Sequence, residues 1–221
     1  MTSSVKYEVR TISQREFAFF YKKGEKWNEK KQRTDPIYYI ERRKSFTTNE
    51  ELWDYIEKKN PTHCFFSTAY YTFPHLAPSE RSFWNGTDLF FDFDSKQNLK
   101  LAYAEARFVY DYLQDYFAID DLEMIFSGSK GYHVIAYGYH NNPRLTEKLR
   151  KLSTQERREI VDYFALRYAP EEERKEYDKR NFTPLLTLDP EPTIDIHRIR
   201  RLPGTVHGGS GEMCKVIRST F

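Results

Sequence analysis

Polar and apolar positions recur at helical spacing from Thr48 to Asn60: Leu52, Tyr55 and Ile56 follow a Thr48/Glu51 capping-box pattern, and Asn60-Pro61 stops the run. A longer stripe, Leu101, Ala104, Phe108, Tyr112 and Leu113, predicts a second helix from about Asn98 to Phe117. A third is expected from Thr154 to Ala169, ended by Pro170 and a charged segment. Strand patterns cover IYYIERR at 37–43, THCFFSTAYY at 62–71 and the DLFFDFD run ending at Asp94. LEMIFS (122–127) and GYHVIAYG (131–138) are split by a tight GSK turn, which predicts a β-hairpin. Residues 13–22 fit a short helix end or a strand, and 22–35 reads as a charged loop. No repeat, low-complexity tract or Gly/Ser linker divides the chain, so one unit of α/β (α+β) class with a largely antiparallel sheet is expected.

Composition narrows this only a little. The 221 residues can bury a sizeable core, and the net charge of +2 does not by itself point to nucleic acid, although 31% charged residues allow strong local clusters. Aromatic content is 17%, enough for a core and for a few base platforms, which composition cannot separate. Cys64 and Cys214 are the only cysteines, far apart and without knuckle spacing. Neither a disulfide framework nor structural zinc is expected, and the setting is read as reducing and intracellular. No apolar stretch reaches bilayer-spanning length and MTSSVKYEVR has no signal-peptide core, so no membrane association is expected.

Three stretches carry chemistry. In LFFDFDS, strand alternation sends Asp92 and Asp94 to one face and Phe91 and Phe93 to the other. Two carboxylates so placed repel unless neutralised, and a hard divalent ion is the usual partner; a plain solvated strand is the competing reading. Asp88 shares their parity but suits a turn at the strand start. In FSGSKGYHV, Gly128 and Gly131 permit a turn whose N–H groups converge on an anion, with Ser127, Ser129, Lys130 and His133 as further donors; an ordinary hairpin turn competes. In DIHRIRRLPGTVHGGSG, Asp195 adds a carboxylate, Arg198, Arg200 and Arg201 add cations, and His207 precedes Gly208-Gly209; here a solvated basic loop competes. Taken together, Asp92, Asp94 and Asp195 would hold two divalent ions, while Ser127, Lys130, His133, Arg201 and His207 would hold a polyphosphate. That combination favours in-line nucleotidyl transfer.

These stretches resemble the three motifs of the archaeo-eukaryotic primase superfamily, in particular the small, catalytic subunit of archaeal and eukaryotic DNA primase: FDFD as Asp-x-Asp, SGSKGYH as Ser-x-x-x-Gly-x-His, and DIHRIRRLPGTVHGGSG as the third. REFAF (15–19), YYIERRKSF (38–46) and FSTAYY (66–71) resemble the upstream blocks, so the likeness covers roughly the whole chain. It implies one catalytic domain over 1–221, an RRM-like core at 86–221 packed on an N-terminal α/β module at 1–85, with the site between them. It implies Mg2+ or Mn2+ on Asp92, Asp94 and Asp195, nucleotide contacts from Ser127, Ser129, Lys130, His133, Arg201 and His207, and Glu16 and Arg42 near the same site. A single-stranded DNA template, nucleoside triphosphates and a primase large subunit, or a fused large-subunit-like region, follow as partners. The chain departs from the family in having Ser129 where a second basic residue is common, SKQNLK where a zinc knuckle is common, and no helical insertion.

Primer synthesis on single-stranded DNA is therefore the leading expectation. A primase-polymerase of repair or plasmid type and an inactive nucleic-acid-binding accessory subunit are the alternatives within the superfamily. A metal-dependent phosphodiesterase could use three carboxylates too, but it has no need of the triphosphate cradle. Template contacts are expected among residues such as Arg43, Lys44 or Tyr71, without a choice between them.

Overall fold

Strands β1 (Phe17–Asn28) and β2 (Arg33–Lys44) form a long antiparallel hairpin that opens the fold. The computed structural model describes residues 6–76, 83–137, 143–168 and 187–220; Gly138, Ala169, Pro170 and the charged segment after it lie outside the described residues. The hairpin overturns the charged loop expected at 22–35. Its distal half projects beyond the core, so both faces are wet and the hydrophobic alternation that marks a half-buried strand is lost. Polar contacts hold it instead: Asp35 accepts across the strands from Asn28 at 2.7 Å and pairs along its own strand with Arg33 at 2.8 Å.

Helix α1 (Asn49–Lys59) carries the full capping box, Thr48 accepting from the Glu51 amide and Glu51 from the Thr48 amide. Its Leu52 and Trp53 pack with Phe17, Phe19 and Phe66 against one face of a four-stranded sheet ordered β10-β3-β1-β2, where β3 is His63–Ser67 and β10 is Ile199–Arg201. The run read as one strand at 62–71 is broken at Thr68 into β3 and β4 (Ala69–Tyr71), which pairs with β5 (Trp84–Thr87).

The second sheet is antiparallel throughout and ordered β11-β7-β8-β6-β9. Its members are β6 (Leu89–Asp94), β7 (Leu122–Phe126), β8 (Gly131–Ala136), β9 (Leu188–Asp189) and β11 (Lys215–Ser219). Helix α2 (Leu99–Asp115) lies where the apolar stripe places it, and α4 (Thr154–Tyr168) begins where a helix is expected. A short α3 (Pro143–Arg150) precedes α4, and α5 (Pro190–Ile194) follows β9. Leu89, Phe91 and Phe93 bury against Ala102, Ala106, Val109 and Phe164 on the helical side, which fixes the opposite face of β6 as the one that carries Asp92 and Asp94. No helix among the described residues is long and apolar enough to cross a membrane.

The two sheets are stitched together by buried charge. Asp88 pairs with Arg15 at 2.8 Å, both fully buried, and accepts from the Tyr70 hydroxyl; this is a structural role for the residue that shares the parity of the paired aspartates. Arg157 caps the carbonyls of Thr87 and Asp88 at 2.9 and 3.0 Å. Strand β10 comes from the C-terminal half yet joins the N-terminal sheet, so the chain crosses back over the boundary expected at 85/86. That return brings the third motif to the first two.

Candidate active site

Strand β6 lies between β8 and β9, and Asp92 faces His133 on one neighbour and Asp189 on the other, while Asp94 faces Gly131. Burial first, then the carboxylates of Asp94 and Asp189, push the Asp92 pKa up to about 7. His133 is driven the other way, down to about 3, by burial and then by the charges of Arg200, Arg201 and Arg198. It is therefore neutral near pH 7, and the 3.6 Å approach of its Nε2 to Asp92 Oδ1 is not an ion pair. Asp92 Oδ1 and His133 Nδ1 are both buried with no hydrogen-bond partner. An orphaned acceptor on a carboxylate crowded by two others is a place for a cation.

The turn between β7 and β8 closes over this strand. Gly128 sits at φ +84°, in the left-handed region that favours glycine, and a Cβ at Gly131 would lie 2.1 Å from the Phe93 carbonyl oxygen. Glycine at 131 is what lets the turn approach β6 this closely. Lys130 consequently reaches Asp94 and forms an ion pair with it. Ser127, Ser129 and Lys130 then line the same cavity as both aspartates.

The opposite wall comes from the other sheet. Arg198, Arg201 and His207 line it together with Phe65 of β3, enclosing a cavity of about 180 Å³. Arg201 lies over the Phe65 ring at 4.7 Å. His207 Nδ1 accepts from the amides of Gly209 and Ser210, each at 3.1 Å, which leaves Nε2 to carry the proton and act as a donor. His63 Nδ1 faces two groups that can only donate, Arg201 Nη1 at 3.1 Å and the Gly208 amide at 3.3 Å, so its Nε2 donates to the Tyr38 hydroxyl at 3.0 Å. Burial, then Arg201 and His207, lower its pKa to about 4.

The structure thus gathers Asp92, Asp94, Ser127, Ser129, Lys130, His133, Arg201 and His207 around one cavity. It does not bring Asp195 there. Asp195 is exposed at the C-terminal end of α5 and accepts from the His197 amide at 2.8 Å, while Asp189, also outside the cavity lining, pairs in register with Asp92 across β9 and β6. Glu16 and Arg42 also lie outside the cavity lining and pair with each other at 2.8 Å. Arg200, whose residue lines the cavity, directs its guanidinium elsewhere, onto the Tyr137 hydroxyl at 2.9 Å and over the Phe66 ring at 4.2 Å. Among the described residues, no three His, Cys, Asp or Glu side chains converge closely enough to hold a metal by themselves. Substrate oxygens would have to complete the shell, as is usual for magnesium bound through carboxylates and phosphates.

The DNA primase small subunit family matches residues 91–219, the stretch that supplies nearly every group described above. The chain belongs to that family. Its class of activity is accordingly that of a DNA-directed primase. The DNA primase small subunit PriS of Pyrobaculum calidifontis is 30% identical over 93% of this chain and 71% of its own length. The PriS proteins of Pyrobaculum islandicum and Archaeoglobus fulgidus are each 28% identical, over 93% and 80% of this chain. The polymerase domain of Mycobacterium tuberculosis Ligase D, solved in complex with DNA, shares the fold with a TM-score of 0.53 over 95% of this chain and 75% of that one, at 14% identity.

Sequence reasoning on this primase chain missed Asp189 and the part played by Phe65 and His63. The signal for Asp189 was faint, since LDPEP reads as a helix N-cap before proline, and Asp189 does fill that role, accepting from the Glu191 amide at 3.2 Å.

Proposed function

We propose that the chain is the catalytic subunit of a DNA primase, joining nucleotides into short RNA or DNA primers along a single-stranded DNA template. The observation that supports this best is the pairing of opposite chemistries in one small cavity: a carboxylate pair on one wall, and Lys130, Arg198, Arg201 and His207 around it. We assign Asp92 and Asp94, with Asp189 in place of Asp195, to divalent cations, and the orphaned Asp92 oxygen fits that assignment. Such cations, Mg2+ or Mn2+, would lower the pKa of the attacking 3'-hydroxyl and neutralise charge on the departing pyrophosphate.

The protein's own groups have the complementary task. Arg198 and Arg201 donate to phosphate oxygens, Lys130 adds a point charge beside Asp94, and Ser127 and Ser129 offer hydroxyls and turn amides. Neutral His133 and His207 act as hydrogen-bond donors without adding charge. Held from two sheets, the triphosphate is aligned before reaction, and this positioning is where most of the rate advantage of phosphoryl-type transfer arises. Glu16 and Arg42 support this wall from outside the cavity.

The chain is read as one catalytic domain over 1–221, acting inside the cell. The relatives' name, small subunit, supports a primase large subunit or a fused large-subunit-like region as its partner. Incorporation of labelled ribonucleotides on unprimed single-stranded DNA, with magnesium or manganese, tests the proposal by comparing wild type with Asp92→Ala/Asp94→Ala. Product from wild type alone supports it. Product from the double variant as well overturns the metal assignment, and silence from wild type on primed as well as unprimed template overturns the polymerase reading.

A further inference from the structure

One face of the β1–β2 hairpin continues the wall of the cavity outward. Phe65, which lines the cavity, pairs in register with Ala18, and its ring lies 5.0 Å from that of Phe20. Phe20 in turn lies 6.0 Å from the Tyr38 ring and opposite Ile40. Along β2 the alternate positions on this face are Ile40, Tyr38, Pro36 and Thr34, and Thr34 pairs with Trp27. The result is an apolar and aromatic strip with Trp27 53% and Ile40 48% exposed. Trp27 lies seven positions along β1 from Phe20, a span of about 20 Å at strand rise, room for a few extended nucleotides.

Charge around the strip points to an anionic occupant. Residues 17–44 contain nine Lys and Arg against four Asp and Glu, whereas the whole chain is balanced to +2. Lys22, paired with Glu25 at 2.5 Å, stands on this face opposite Tyr38, and Arg42, paired with Glu16, continues it two positions beyond Ile40, so the excess of cations over the hairpin as a whole carries the charge argument. Large rings for stacking, flanked by cations for phosphate, are the combination that holds single strands with little regard to sequence. Hydrogen bonding ties the strip to the cavity, because Tyr38 contacts His63, which in turn faces Arg201 and the Gly208 amide.

We infer that this hairpin face is a docking strip for single-stranded nucleic acid, with bases stacking on Trp27 and lying across Ile40 as the strand runs toward the cavity. Identifying that strand as the template rests on the proposed primase function; the binding itself does not.

The test is fluorescence anisotropy of a labelled single-stranded oligothymidylate with the full chain, without nucleotides or metal. Trp27→Ala/Ile40→Ala should weaken binding about tenfold with an unchanged salt slope, because neutral contacts are lost, and Trp27→Phe should restore most of it. Thermal melting checks that the variant folds. Photocrosslinking of wild type with 5-iodouracil-substituted DNA, mapped by peptide, should label the segment around Trp27 and needs no variant. Unchanged affinity in the folded double variant, or crosslinks that map away from the hairpin, would overturn the inference and leave the strip to a protein partner. Such a result with aspartate-dependent incorporation intact would leave the primase reading standing. Conversely, Trp27-dependent binding without incorporation would keep the strip and sink that reading.

Discussion

Asp189 lies directly across from Asp92 where β9 joins β6, and it adds to the repulsion that raises the Asp92 pKa. Asp195, six residues on, is exposed and serves the backbone of His197. The two aspartates should therefore behave differently. Asp189→Asn is expected to lower kcat for nucleotide incorporation by about 100-fold or more, the scale seen when a group facing developing charge is removed. Asp195→Asn, whose amide oxygen can still accept from the His197 amide, should change stability by less than about 0.5 kcal/mol and change kcat only a few-fold. Steady-state kinetics on a primed template decide it, and a larger loss in Asp195→Asn would reverse the assignment.

Crowding at Asp92 should be visible as stability. Its pKa in the fold, about 7, lies above the ordinary carboxylate value of 3.8, so the folded state binds the proton more tightly than the unfolded chain. Folding stability from this group consequently falls as pH rises from about 4 to about 7 and stays low above that. Asp92→Asn removes the penalty. In EDTA at pH 8 the variant should melt higher than wild type, with a ceiling of about 4 kcal/mol at about 1.4 kcal/mol per pH unit. At pH 4 the two should nearly coincide. Added magnesium should stabilise wild type and leave the variant unmoved, which calorimetry with and without the ion can establish.

The Gly131 backbone is pressed against β6 at the point where Asp94 emerges. A methyl group there would stand 2.1 Å from the Phe93 carbonyl oxygen and 2.5 Å from Asp94 Oδ1. Gly131→Ala must force the two strands apart, and a loss of about 3 kcal/mol, at the upper end for overpacking, is expected. Activity should fall with it, since Lys130 and Asp94 lose their register. Gly128→Ala combines the left-handed φ of +84°, worth about 1 kcal/mol, with milder crowding, its methyl 3.0 Å from the Glu212 carbonyl oxygen and 3.1 Å from His207 Cβ. Denaturant melts measure both losses, and a Gly131→Ala protein as stable as wild type would contradict the packing seen here.

How much of this was legible beforehand depended on whether an element buries one face. β6, β7, β8, α1, α2 and α4 each do, and apolar stripes in α1 and α2, alternation in β6 and apolar runs split by a tight turn in β7 and β8 placed them to within a few residues, while α4 was placed without a stripe. The outer half of the β1–β2 hairpin buries neither face, so KKGEKWNEKKQRTD looked like a loop. Chemistry followed the same rule. Side chains on strands of known parity, such as Asp92, Asp94 and His133, could be aimed from sequence. Arg198, Arg200 and Arg201 could not be told apart, because only the pairing of Arg200 with Phe66 and of Arg201 with Phe65 sends their side chains to opposite sides of β3. Asp189 was hidden by a two-residue strand that no periodicity can announce.

His63 offers a pH test away from the carboxylates. Its Nδ1 must stay unprotonated to accept from the Gly208 amide and face Arg201, and its pKa is held down at about 4 against an ordinary 6.5. The unfolded chain therefore takes up a proton first as pH falls. Stability from this group is complete above about 6.5 and is lost progressively down to about 4, by up to about 3 kcal/mol. His133, shifted in the same direction, contributes a similar acid slope. His63→Gln keeps a neutral polar group but cannot titrate. It should be less stable than wild type at pH 8 by about 1 kcal/mol, through imperfect hydrogen bonds. The gap should then close, or change sign, by pH 4.5. If the gap between the two proteins is the same at both pH values, protonation of His63 is not opposed by Arg201, and the neutral tautomer derived from its contacts is wrong.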